Sequence, residues 1–135
     1  MPSFQTTRRV EFGDTDMAGI VHFANFFRYM EAAETEFLRT LGFSVAWHYN
    51  GQRVGFPRVS AACDYVKPAK FGDLLTVTVS IEKVGRKSVT YRFAFTRGAD
   101  SIATGRITSV FCHKGDDGAM KSVELPPEIR AKLEG

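Results

Sequence analysis

The stretch from Phe23 to Leu41, FANFFRYMEAAETEFLRTL, decides how the rest of the chain must be arranged. Phe26, Met30, Ala33, Phe37 and Leu41 recur at steps of four and three, while Arg28, Glu31, Thr35 and Arg39 fall elsewhere. That is the period of a helix with one apolar stripe. Asn25 is expected to cap it, unless the first turn begins a few residues earlier, and Gly42 is expected to stop it. Burying the four large side chains of the stripe contributes about 1.5–3 kcal/mol each, so the helix needs a broad apolar surface to cover it.

The downstream sequence provides such a surface. Leu75, Val77, Val79 and Ile81 alternate with Thr76, Thr78, Ser80 and Glu82, and Val89, Tyr91, Phe93 and Phe95 alternate with Thr90, Arg92, Ala94 and Thr96. Period-two alternation of this kind gives strands with one face in a core. Lys83 to Lys87, with Gly85, reads as their hairpin turn, and Gly98-Ala99-Asp100 turns the chain into a further strand from Ile102 to His113. Val54 to Tyr65 makes another strand, with Pro57 marking an edge or an irregular entry. Gly115-Asp116-Asp117-Gly118 is a turn, Lys121 to Leu125 is short and extended, and Pro126-Pro127 opens a final helical turn.

Upstream of the helix, Phe4 to Phe12 alternates as a strand, with Phe4, Val10 and Phe12 on one side and Arg9 and Glu11 on the other. The pattern then breaks at Gly13-Asp14-Thr15-Asp16-Met17-Ala18-Gly19, whose turn formers and carboxylates suit an exposed irregular loop. The order is strand, long helix, then four strands. It implies an α+β fold in which an antiparallel sheet of about five strands curls around one central helix, in a single domain spanning 1–135.

The 135 residues suffice for one core and not two, and 44% apolar with 24% charged residues is an ordinary globular balance. No apolar run reaches the length of a membrane span, and the N-terminal residues lack the pattern of a secretory signal, so a cytoplasmic location is expected. Cys63 and Cys112 are far apart and share no metal-ligand spacing with the histidines, which indicates neither a disulfide framework nor a metal site. The formal charge of +3 comes without a long basic run or a nucleic-acid motif, so no nucleic-acid partner is expected.

Without further context, Asp14 and Asp16 are turn and cap residues of a glycine-flanked loop. The run Asp14-Thr15-Asp16-Met17-Ala18-Gly19-Ile20-Val21-His22-Phe23-Ala24-Asn25-Phe26-Phe27-Arg28 closely resembles the signature of the 4-hydroxybenzoyl-CoA thioesterase family of hotdog proteins. The likeness extends to Glu31-Ala32-Ala33, reappears at Arg86-Lys87-Ser88, and includes the strand order. It implies a hotdog fold and hydrolysis of an acyl-CoA or aryl-CoA thioester. Asp16 then attacks the thioester carbonyl or activates water, two tasks open to a carboxylate.

The backbone amide of Phe23, at the amide-rich start of the helix, would polarise the carbonyl, and Gly19 would let the chain approach the acyl group. Some relatives carry histidine one residue later than His22, where this chain has Phe23; His22 is a candidate catalytic residue that would line the site and polarise the carbonyl or orient water. His48 and His113 have no motif around them. The resemblance puts Glu31 near the acyl end and Gly85-Arg86-Lys87-Ser88 at the nucleotide of coenzyme A. By composition alone that hairpin is equally a solvated turn. Phe26, Phe27, Tyr29, Phe56 and Phe71 either line an acyl pocket or belong to the core.

The resemblance further implies that no metal or redox cofactor is needed, coenzyme A being part of the substrate. It also implies a homodimer or homotetramer whose subunits join sheets and share their active sites. Two rival functions keep the same fold: a hotdog hydratase, whose Asp–His spacing the Asp16–His22 interval does not reproduce, and a noncatalytic acyl-CoA sensor, against which the retained Asp16 argues.

Overall fold

The computed structural model describes residues 1–135. In chain order the elements are β1 (Ser3–Arg9), α1 (Asn25–Thr40), β2 (Ala46–Tyr49), β3 (Gln52–Gly55), β4 (Arg58–Tyr65), β5 (Leu74–Val84), β6 (Ser88–Arg97), β7 (Asp100–Val110), β8 (Cys112–Lys114), β9 (Met120–Ser122) and α2 (Pro127–Glu134). An antiparallel sheet in the order β1-β5-β6-β7-β4 carries α1 on its inner face, as the helical stripe requires. The four short strands form a second sheet in the order β2-β3-β8-β9.

Phe26, Met30, Ala33 and Phe37 of the stripe are buried, as are Val77, Val79, Tyr91, Phe93 and Phe95 of the sheet. Together they form the centre of one continuous core. Gly105 on β7 shows how closely the layers approach, because a β-carbon there would collide with the side chain of Met30. Gly42 ends α1 as expected: its φ is +84°, its N–H donates to Arg39 O at 3.1 Å, and Phe43 N–H donates to Leu38 O at 2.8 Å. Such a left-handed close of the last turn favours glycine.

Several boundaries differ from the sequence expectation. β1 ends at Arg9; Phe12 falls in a single 3-10 turn and is exposed, its ring edge meeting Phe71. Asn25 is not the cap of α1. That position is Ala24, already helical in backbone, and the preceding residues wind a tighter turn in which Asn25 N–H donates to His22 O. Val54 to Tyr65 is two strands rather than one, because the chain passes from the small sheet to the large one at Phe56-Pro57. The Ile102–His113 stretch is likewise divided at Phe111, and α2 extends the expected terminal turn to eight residues. β2 lies in a stretch where Trp47 and Tyr49 alternate with Ala46 and His48 over only four residues, too short a signal to stand out.

One acidic residue enters the core. Glu34 of α1 is 1% exposed and accepts a hydrogen bond from the guanidinium of Arg58, whose side chain is 31% exposed and also reaches Glu31 at 3.6 Å. Burial holds the Glu34 carboxyl above the usual carboxylate range, against the opposing pull of Arg58. Because the folded value is raised, the stability linked to this proton is fully present below the ordinary glutamate range and is lost as pH rises through the raised value. Arg58→Met strips the buried carboxylate of its partner and should lower the unfolding free energy by about 3 kcal/mol above neutral pH in urea titrations. At about pH 4 the deficit should shrink, since Glu34 then takes a proton. An equal loss at both pH values would show that Glu34 is not the group left unpaired.

Candidate functional site

The loop that follows β1 is fastened by Asp14. Its carboxylate accepts the Glu11 N–H at 2.9 Å and the Tyr29 hydroxyl at 2.8 Å, and its carbonyl accepts the His22 N–H at 2.9 Å and the Asn25 side-chain amide at 2.8 Å. The end of the first strand, the loop and the first turns of α1 thus converge on one residue. Tyr29 donates from the buried face of the helix; burial first, and then Asp14, raise its phenol well above the ordinary tyrosine range, so it remains a donor.

Held at its base, the loop closes on itself. Thr15 and Val21 bridge, Asp16 N–H donates to Ile20 O at 2.9 Å and Gly19 N–H donates to Asp16 O at 2.9 Å. Gly19 takes φ +80°, with open space where a side chain would project. Asp16 Oδ1 accepts the Ala18 N–H at 2.9 Å, while Oδ2 meets no protein donor. Val21 N–H reaches Ala69 O at 2.8 Å and pins the loop to the segment after β4.

At the start of α1 the amides of Asn25, Phe26 and Phe27 donate to the carbonyls of His22, Phe23 and Ala24, and Ala24 N–H donates to His22 Nδ1 at 3.3 Å. The Phe23 N–H meets no protein acceptor, an orphan donor of the kind expected at a helix start. Asp16, Ile20, Val21, Phe23, Phe26 and Tyr65 line an open cleft of about 490 Å³, completed by Val66–Ala69. Asp16, which carries a free carboxylate oxygen, and Phe23, which carries an unpaired amide, thereby line the same cleft, whose other walls are mainly apolar.

Tyr65, at the end of β4, had no distinguishing sequence pattern. Its hydroxyl donates to Phe23 O at 3.0 Å, and its ring meets the rings of Phe26 and Phe23 edge-on at 5.4 and 6.5 Å. Only the topology that brings the end of β4 beside the Asp16 loop reveals it. Its hydrogen bond and ring contacts hold the residue that presents the free amide.

The remaining candidates lie elsewhere. His22 is exposed, stacks on the Phe23 ring at 4.7 Å, uses Nδ1 as the acceptor described above and does not line the cleft. Glu31 is exposed on α1 beside Arg58. Arg86, Lys87 and Ser88 stand at the opposite end of the large sheet from the cleft: across the strands Ser88 pairs with Val110 and Arg58 with Ser109, whereas Tyr65 pairs with Ala103 and Ala103 with Phe95. Arg86 is paired with Glu124 at 2.6 Å, and its carbonyl accepts the Leu125 N–H. Of the aromatic candidates Phe26 lines the cleft, Tyr29 and Phe56 are core, Phe27 packs against the core and Phe71 is exposed. Burial pushes the thiols of Cys63 and Cys112 up, away from the reactive thiolate form.

Residues 10–133 match the thioesterase-like superfamily. The chain is 32% identical over 123 residues to the acyl-CoA thioesterase YbgC of Haemophilus influenzae, covering 91% of this chain and 88% of that one. It is 31% identical over 132 residues to the 4-hydroxybenzoyl-CoA thioesterase of Pseudomonas sp., covering 93% and 94%. Among solved structures, a gentisyl-coenzyme A thioesterase superposes with a TM-score of 0.80 at 29% identity over 96% of this chain and 99% of that one.

The role given to Asp14 has a direct measure in stability. Tyr29→Phe removes one donor from its carboxylate and should cost about 0.5–1.5 kcal/mol in urea unfolding. An unchanged midpoint and slope would mean that the loop base is held without Tyr29.

Proposed function

The chain belongs to the thioesterase-like superfamily and is an acyl-CoA thioesterase of the hotdog fold, and from that premise we propose that Asp16 and the Phe23 amide carry the hydrolysis. The observation that supports this reading is the shared cleft: Asp16 and Phe23, one with a carboxylate oxygen and the other with a backbone N–H free of protein partners, line one mainly apolar opening. A thioester carbonyl accepting the Phe23 N–H would lose electron density at carbon, and the charge that gathers on its oxygen in the transition state strengthens that bond. Asp16 either attacks that carbon, giving an anhydride and releasing the coenzyme thiolate, or takes a proton from the water that attacks. Each route consumes one water and yields a free acid and the thiol of coenzyme A, with no other reagent.

Asp16→Asn keeps the shape and the acceptor for the Ala18 N–H while removing the charge. It should lower kcat by at least about a hundredfold with little change in KM for an acyl-CoA, measured by thiol release. Activity near wild type would remove Asp16 from the mechanism. With wild-type enzyme, single-turnover hydrolysis in heavy-oxygen water separates the routes, since only the anhydride route leaves label in the Asp16 carboxylate.

A homodimer formed through β4 accounts for the scattered substrate-binding candidates of this cytoplasmic enzyme. β4 is an edge strand of eight residues, exposed at every position except Cys63, with Val59 at 63%. An uncovered apolar edge of this length favours pairing with another strand. When two copies of β4 pair antiparallel about a two-fold axis, Arg58 of one copy falls beside Tyr65 of the other. Glu31 and the Gly85-Arg86-Lys87-Ser88 hairpin of one subunit thereby arrive at the same end as the Asp16 cleft of its partner. In that assembly Glu31 faces the acyl end, and Arg86, Lys87 and Ser88 face the phosphates of coenzyme A, whether two or four copies assemble. Ala61→Glu together with Ala62→Glu sets like charges directly opposite each other at the middle of the paired strands and should convert the dimer to a monomer in sedimentation velocity, with loss of turnover. A wild-type protein that sediments as an active monomer would overturn the shared site.

A further inference from the structure

The small sheet carries a second cleft, of about 450 Å³, that the proposed chemistry does not use. Its wall is the outer face of β2, β3 and β8. In register across these strands His48 lies opposite Arg53 and Arg53 opposite Lys114; in the next row Ala46 lies opposite Gly55 and Gly55 opposite Cys112. All six line the cleft. One row is therefore cationic or titratable, and the other is a shallow floor of small side chains.

This arrangement works against the stability of the sheet. Like charges placed directly opposite on neighbouring strands repel. No ion pair relieves them: no aspartate or glutamate lines the cleft, and neither Arg53 nor Lys114 takes part in a salt bridge. Arg58, also on the rim, is committed to Glu34 and Glu31. A concave surface lined by uncompensated charge of one sign concentrates the opposite sign. Guanidinium and ammonium groups side by side suit a phosphate, which accepts several charge-assisted hydrogen bonds at once.

We propose that this cleft is an anion-binding groove for the phosphorylated nucleotide end of coenzyme A, with Arg53 and Lys114 as its phosphate ligands and His48 at its margin. The floor of Ala46, Gly55 and Cys112 leaves room for a flat base beside the phosphates. Gly55 is required in any case, since a β-carbon there would lie 2.7 Å from Val45 O. The groove adjoins Arg58 at the start of β4, so antiparallel pairing of two β4 strands places it on the side of the partner's Asp16 cleft. The inference rests on the thioesterase reading for its ligand. It adds a second set of cations to the Arg86–Lys87 hairpin, in keeping with a ligand that has a diphosphate and a separate ribose phosphate.

The test compares an acyl-CoA with the N-acetylcysteamine thioester of the same acid, which lacks the nucleotide. Arg53→Gln with Lys114→Gln should raise KM for the acyl-CoA about tenfold. The double variant should leave kcat/KM for the truncated thioester at its wild-type value. In calorimetry it should weaken binding of 3′-phosphoadenosine 5′-diphosphate by a similar factor. Its thermal midpoint should be equal to or above that of wild type, because the repulsion across the strands is gone, which separates a lost ligand contact from a damaged fold. Unchanged KM and unchanged nucleotide affinity would overturn the proposal, as would an Arg86→Gln, Lys87→Gln variant that abolishes nucleotide binding by itself while the groove variant has no effect. Should wild-type protein hydrolyse neither thioester, the thioesterase reading fails, and the calorimetric comparison still decides whether the groove binds the nucleotide.

Discussion

Four donors reach Asp14: the amides of Glu11 and His22, the side chain of Asn25 and the hydroxyl of Tyr29. They come from the residues just after the first strand, the end of the loop and the first two turns of α1, and so tie these segments to one another. Asp14 therefore sets the distance between a carboxylate on the loop and an amide at the helix start. For the proposed hydrolysis, such groups serve best when they are held before substrate arrives, and here a neutral tyrosine buried under the helix helps to hold them. The two aspartates of one short motif thus differ in role: Asp14 is tied through one carboxylate oxygen and its carbonyl to the strand end, loop and helix, whereas Asp16 bonds only within its own loop.

Burial sets the second constraint. The helix must cover the inner face of the large sheet, yet it carries Glu34 into that interface and needs Arg58 to neutralise it. Arg58 is the first residue of β4, immediately after Phe56-Pro57, where the chain crosses between the two sheets. The same guanidinium extends to Glu31 on the exposed side of the helix. Core packing, the entry to the edge strand and the exposed carboxylate of Glu31 are linked through one side chain, so the helix face that looks merely amphipathic in sequence also orients an edge.

The long periodic segments were legible because burial imposes their pattern directly. The helical stripe, the β5–β6 hairpin and the glycine at the helix end all follow from spacing and from the φ that only some residues adopt readily. The division of Val54–Tyr65 was not legible, because the alternation runs through Phe56-Pro57 while the chain changes partners, and partner choice leaves no mark on periodicity. The short strands of the small sheet failed for a related reason: three or four residues give too few repeats to define a period. In the site, the motif pointed to Asp16 and Phe23, but Tyr65 is an isolated tyrosine whose importance depends on which loop lies beside it. His22 illustrates the converse, a residue prominent in sequence whose ring nitrogen serves the first turn of the helix.

The separation of Glu31 and the hairpin from the Asp16 cleft bears on which edge of the large sheet pairs. Two edges are open, β1 and β4. Antiparallel pairing through either would reverse one subunit relative to the other and bring a hairpin to the cleft end. Pairing through β1, however, would leave Glu31 and Arg58 on the far side of the five-stranded sheet, with β5, β6 and β7 between β1 and β4. Pairing through β4 puts Arg58 of one copy against Tyr65 of the other, and Tyr65 holds Phe23. Of the two edges, β4 is therefore the one that fits the proposed shared site: its last residue already holds Phe23 through the carbonyl, and its first already reaches the carboxylate of Glu31.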